Sequence, residues 1–212
     1  EELTHLLLAY RERLRVLLQT NAWAVAFKNE GAAAGASLRH PHSQLVGLRQ
    51  VPPLVRQRLQ RARLFAQRAG ESLLSAELDL LDGRSGYEVA RSDGWYAWVP
   101  EAPILPGALR IAGRSAARPP FRFVEQDARA AAMMLAHVLR LGGRYLSRPD
   151  FNLMLQIPPE DALEGEGSFW YIDWVPRGAR PGGFELASGV LLSPLDATEY
   201  AAALRAQGAP WS

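Results

Sequence analysis

One order of elements occurs twice in this chain. A helix over 3–19, a short strand over 22–27, a loop and a strand over 40–48 make the first occurrence. A helix over 125–146, a strand over 151–157, a loop and a strand over 169–175 make the second. The first helix is read from Leu3, Leu7, Tyr10, Leu14 and Leu18, which recur at the three-and-four spacing of a single apolar face. An offset of roughly 125 residues is too long for a solenoid and fits a duplicated unit. Short strands over 87–90, 95–99 and 109–112 precede the second copy, and nothing comparable precedes the first. The pattern predicts an α+β fold in which duplicated units build antiparallel sheets flanked by helices, with the first unit truncated at its N-terminus. Residues 1–70 then form the C-terminal half of the first unit and residues 71–212 the second.

The connecting segments read more plainly. Pro53 suits the first turn of a helix that runs over 54–69 and is rich in arginine. Residues 71–83 connect the two halves. Residues 183–192 read as extended, and Asp196 as the N-cap of a last helix over 197–207.

Chemistry concentrates between Phe27 and Leu48. Two of the four histidines of the chain stand there, in His40-Pro41-His42-Ser43-Gln44. Side chains of a strand alternate between faces, so His40, His42 and Gln44 point one way and Pro41 and Ser43 the other. Pro41 has no N–H for a ladder, which places this segment at the start or edge of a strand. Just upstream, Gly31 to Ser37 is a run of small residues. Such a loop lets backbone come close to a ligand. Followed by His, His and Gln at strand period, it reads as a phosphate cradle beside a nucleophile. A neutral imidazole is competent to attack phosphorus near neutral pH.

Composition removes several alternatives. Lys and Arg number 24 against 22 Asp and Glu, a net charge of +2, which gives no nucleic-acid footprint. Cysteine is absent, so disulfides, thiolate catalysis and cysteine-based zinc sites are excluded. No run is apolar enough to span a membrane and no secretory signal is evident, so a cytoplasmic enzyme is expected.

The segment FKNEGAAAGAS followed by HPHSQ resembles the galactose-1-phosphate uridylyltransferase family of the histidine-triad superfamily. Ser43 and Val51-Pro52-Pro53 are most like its ADP-glucose phosphorylase-like branch. A second point of likeness is Phe169 to Arg177 (FWYIDWVPR) with Gly182-Gly183-Phe184-Glu185. The resemblance implies duplicated histidine-triad-like units. It also implies nucleotidyl transfer from a nucleotide sugar through a covalent nucleotidyl-histidine, with hexose-1-phosphate or phosphate as acceptor. His42 matches the nucleophile and Gln44 the group that hydrogen-bonds a phosphate oxygen. Asn29, Gly35 and Ser37 match the loop that holds the nucleotide sugar, and Phe184 and Glu185 match contacts to the hexose.

His40 matches a family zinc ligand, but its partners are absent. Ser72 and Ser75 stand where the branch has two cysteines, and Phe169 stands where it has a histidine. No metal site is therefore expected. The family's habit, and an unpaired edge at the 22–27 strand, imply a homodimer. The alternative is a truncated, non-catalytic relative that keeps the fold and at most binds nucleotide.

Overall fold

The computed structural model describes residues 1–38, 40–82, 86–92, 94–114, 119–159, 162, 169–178 and 182–208. Its centre is a seven-stranded sheet. In chain order the strands are β1 (Trp23–Glu30), β2 (Gln44–Leu48), β3 (Glu88–Ser92), β4 (Trp95–Trp98), β5 (Leu109–Gly113), β6 (Phe151–Gln156) and β7 (Tyr171–Pro176). Their spatial order is β2-β1-β6-β7-β5-β4-β3, and every pairing is antiparallel. The helices are α1 (Glu2–Leu18), α2 (Pro53–Ala69), α3 (Leu73–Asp82), α4 (Glu125–Tyr145), α5 (Gly183–Ser188) and α6 (Ala197–Arg205). The α+β class and the antiparallel pairing expected from the sequence are both present.

Alternation along the strands creates two faces and two cores. Trp95 and Ala97 of β4, and Ile172 and Trp174 of β7, pack with Leu7, Tyr10 and Leu14 of α1 and with the apolar stripe of α4. Tyr96, Trp98 and Tyr171 point the other way and pack with Leu59 of α2 and Leu78 of α3. Both faces of β4 and β7 are therefore covered, which explains why every residue of these two strands is buried. Of the described helices, none is long and apolar enough to cross a membrane.

The two halves of the chain share this sheet. β1 is bordered by β2 on one side and by β6 on the other, with Asn29 directly opposite Asn152. The outer edge is thus β2, not the 22–27 strand as expected. Three other expectations are corrected. The strand expected over 40–48 begins only at Gln44, because Pro41 cannot donate to a ladder and pairing with β1 ends at Phe27↔Gln44. The connector at 71–83 contains α3, started by Ser72, whose Oγ accepts the Ser75 N–H at 3.1 Å. The extended segment at 183–192 begins instead as α5, where the Glu185 carboxylate accepts the Gly182 N–H at 2.9 Å. Asp196 caps α6 as expected, accepting the N–H groups of Thr198 and Glu199.

Candidate active site

Between β1 and β2 the chain makes a short 3-10 turn over Ala32–Ala34, entered at Gly31 and left at Gly35. Both glycines have φ near +80°, which a residue with a side chain adopts only under strain. They do different work. A Cβ on Gly31 would sit 2.0 Å from Oδ1 of Asp150, so Gly31 makes room for a side chain of the protein itself. Nothing lies within 4 Å of the corresponding point on Gly35, which stays open.

Asp150 and Asn152, from the start of β6, hold this turn in place. The Asp150 carboxylate accepts the Ala33 N–H at 2.7 Å. The Asn152 amide nitrogen donates to Ala34 O at 2.9 Å and to Asn29 Oδ1 at 2.8 Å. A cleft of about 250 Å³ lies along the outside of the turn, lined in part by Asn29, Glu30, Ser37, His40 and Pro41. Glu30 brings a carboxylate to it, but that carboxylate is paired with Lys28 at 2.7 Å. Asn29, Ser37 and His40 therefore share one cleft beside this turn, which Gly35 ends.

His42 follows immediately. Its Nδ1 lies 2.9 Å from the carbonyl oxygen of His40. A carbonyl only accepts, so Nδ1 carries the hydrogen, and in the neutral ring Nε2 is the nitrogen with the lone pair. The ring is half-buried. Gln44 opens β2 opposite Phe27 and is exposed on the sheet face that carries α2 and α3. Ser43, one residue earlier, turns to the other face, where Tyr10 of α1 donates to its Oγ at 2.5 Å. Burial pushes the Tyr10 phenol up, and its bond to Ser43 only partly offsets this, so Tyr10 stays a donor.

The remaining expected residues lie elsewhere. Phe184 is 55% exposed on α5, and the carboxylate of Glu185 is engaged at the N-terminus of the same helix. Neither is among the described residues that line the cleft, and nor are Gly35, His42 and Gln44. The described residues contain no group of three or more His, Cys, Asp or Glu placed to hold a metal ion, so His40 has no set of co-ligands there. Sequence reasoning missed Tyr10, Asp150 and Asn152. Asn152 did leave a signal, a polar residue of low strand preference ahead of the apolar run Leu153-Met154-Leu155.

No family model matches the sequence. A curated ADP-glucose phosphorylase from Arabidopsis thaliana is 26% identical over 204 residues, covering 94% of this chain. The chain spans 57% of the length of that relative. Among solved structures, a GalT-like protein from Arabidopsis thaliana superposes with a TM-score of 0.85 at 26% identity, over 96% of this chain and 67% of that one. The ADP-glucose phosphorylase of Arabidopsis thaliana, solved with bound ADP-glucose, gives 0.85 at 25% identity, over 96% and 64% of the two chains. A uridylyltransferase gives 0.84 at 22% identity, over 97% and 67%, which is a likeness of fold. In sequence and in fold, this chain is similar to the galactose-1-phosphate uridylyltransferase family of the histidine-triad superfamily, on its ADP-glucose phosphorylase side.

Proposed function

We propose that the chain carries the nucleotidyl-transfer centre of an enzyme that acts on a nucleotide sugar. The observation that supports this reading is the bond from His42 Nδ1 to the carbonyl of His40, a residue that lines the cleft, which in the neutral ring leaves Nε2 as the nucleophile. Nε2 attacks the α-phosphorus of the nucleotide sugar. The P–O bond to the sugar-1-phosphate breaks, and a nucleotidyl-His42 forms. An oxygen of hexose-1-phosphate or inorganic phosphate then attacks the same phosphorus, and the P–N bond breaks. Gln44 donates to a non-bridging oxygen as charge develops on it. Asn29, the open backbone at Gly35, and Ser37 hold the diphosphate. By resemblance, Phe184 and Glu185 serve the hexose, from α5. Zinc has no step in this reaction, because of the family's ligands only His40 is matched here. A homodimer in the cytoplasm is the proposed setting, and division into a first unit over 1–70 and a second over 71–212 is proposed as its origin.

The test is incubation of the 212-residue chain with ADP- or UDP-glucose labelled in the α-phosphate. Acid-labile label on the wild-type protein is expected. His42→Asn should abolish it, and His40→Asn should only weaken it. Label retained by the His42 variant sinks the assignment. Binding of the nucleotide sugar without labelling would favour the alternative of a non-catalytic relative. Release of nucleoside diphosphate with phosphate as acceptor, against a new nucleotide sugar with hexose-1-phosphate, distinguishes the two acceptors.

A further inference from the structure

Asn29 and Asn152 meet across β1 and β6 as a directly opposed pair. The Asn152 amide nitrogen has two hydrogens and two acceptors: Ala34 O at 2.9 Å and Asn29 Oδ1 at 2.8 Å. The Ala34 contact decides the orientation. A backbone carbonyl only accepts, so turning the Asn152 amide over would set oxygen against oxygen. Asn152 is therefore a donor, and Asn29 must meet it with oxygen. The nitrogen of Asn29 is left over, and it donates to nothing among the described residues. Asn29 lines the cleft beside the turn.

We infer that Asn152 is a positioning residue that locks the Asn29 amide so that its N–H₂ group, and not its oxygen, is offered to the cleft as a donor to an anionic oxygen. The identity of that anion as the diphosphate of a nucleotide sugar rests on the proposed function. The lock itself rests only on the two bonds of Asn152. Asp150, the residue just before β6, completes the arrangement by accepting the Ala33 N–H, a second tie between the turn and this end of the strand.

Two measurements test this. The first is hydrogen exchange of the side-chain amides in the unliganded protein, read by NMR. The Asn152 N–H₂ should be protected and the Asn29 N–H₂ should exchange freely, and the reverse pattern overturns the lock. The second compares Asn152→Asp with Asn152→Ala in binding of ADP- or UDP-glucose. The aspartate is the closer isostere, but its oxygens only accept. It forces Asn29 to turn its nitrogen inward and to present oxygen to the anion. The aspartate variant should lose about tenfold or more in affinity, the worth of a hydrogen bond to a charged group. The alanine variant should lose less, because Asn29 is then free to choose. A residue that only fills space gives the opposite order, with alanine worse, and that result overturns the inference. In an Asn29→Ala background the aspartate change should cost little more, since the group it acts through is gone. A wild-type chain with the expected exchange pattern that binds neither nucleotide sugar overturns the proposed function and the ligand named here, and leaves the lock standing.

Discussion

Tyr10 spends its one polar group on Ser43, the residue between His42 and Gln44. It is otherwise part of the core, 2% exposed among Leu7 and Leu14 on the inner face of α1. The bond fixes the chain where it changes from turn to strand, and so fixes the backbone from which His42 projects. Tyr10→Phe keeps the ring and removes the donor. It should cost about 0.5–1.5 kcal/mol in urea unfolding. If the bond also orients His42, nucleotidylation should slow while the affinity for nucleotide sugar changes little. A variant with unchanged labelling would confine Tyr10 to stability. At this scale the sequence was informative at the entry to β2, since Ser43 does turn to the opposite face from Gln44, although the strand itself begins only at Gln44. It was silent on Tyr10, because a tyrosine at a core position of a helix looks like any other apolar residue. Gly31 was half legible. Small residues announced close approach, but what approaches is the side chain of Asp150, the residue before β6, far along the chain.

Among elements, β7 shows how one strand serves two cores. Ile172 and Trp174 enter the core under α1 and α4, while Tyr171 and Asp173 face α2 and α3. Asp173 is 1% exposed and opposes Arg110 of β5 in register, with Nε to Oδ1 at 3.1 Å. The same guanidinium lies 3.6 Å from Glu77 of α3 and 3.7 Å from the centre of the Tyr171 ring. One cation thus serves two carboxyls, and among the described residues Oδ2 of Asp173 has no hydrogen-bond partner. Burial pushes both Asp173 and Glu77 above the usual carboxylate range, against the pull of Arg110. A carboxyl whose folded pKa is raised holds its proton more tightly when folded. Its contribution to stability is complete below the unfolded pKa and is lost as pH rises through the folded value. Arg110→Met removes the counter-charge and should cost about 3–5 kcal/mol at neutral pH. Much of that loss should be regained as pH is lowered toward the ordinary carboxylate range. Urea unfolding of wild type and variant between neutral and mildly acidic pH reads this, and a variant whose deficit is constant with pH would show that Asp173 and Glu77 do not titrate there. The sequence placed α1, α2, α4 and α6 because apolar spacing and caps mark them. It missed α3 and α5, which are short and whose starts depend on a serine and a glutamate also explicable as loop residues.

In the whole molecule the repeated order of elements was visible in the sequence, but the joining of its two copies was not. Periodicity marks strands and says nothing about which strands pair, and the pairing of β1 with β6 is the contact that makes one sheet. The same pairing moves the free edge outward to β2, where Val46 and Leu48 are each 40% exposed. α5 adds Phe184 and Leu186, which are exposed as well. An unpaired edge and exposed apolar side chains are features that association covers. The proposed homodimer predicts a sedimentation coefficient for the chain that corresponds to two copies at micromolar concentration. A Leu48→Lys change on the edge should shift the population toward single chains. A wild-type chain that sediments as a monomer throughout that range would remove the homodimer from the proposal.

The bond between Asn29 and Asn152 joins residues 123 positions apart. Contacts that distant form late, because a long loop must close before they contribute. During synthesis two of the groups that hold the turn at Ala32–Ala34, Asp150 and Asn152, leave the ribosome more than a hundred residues after the turn itself. Strand β1 likewise gains its β6 neighbour only after that interval. The turn is therefore completed only when the far half of the sheet has docked, and its closure is a readout of whether these two halves have folded together.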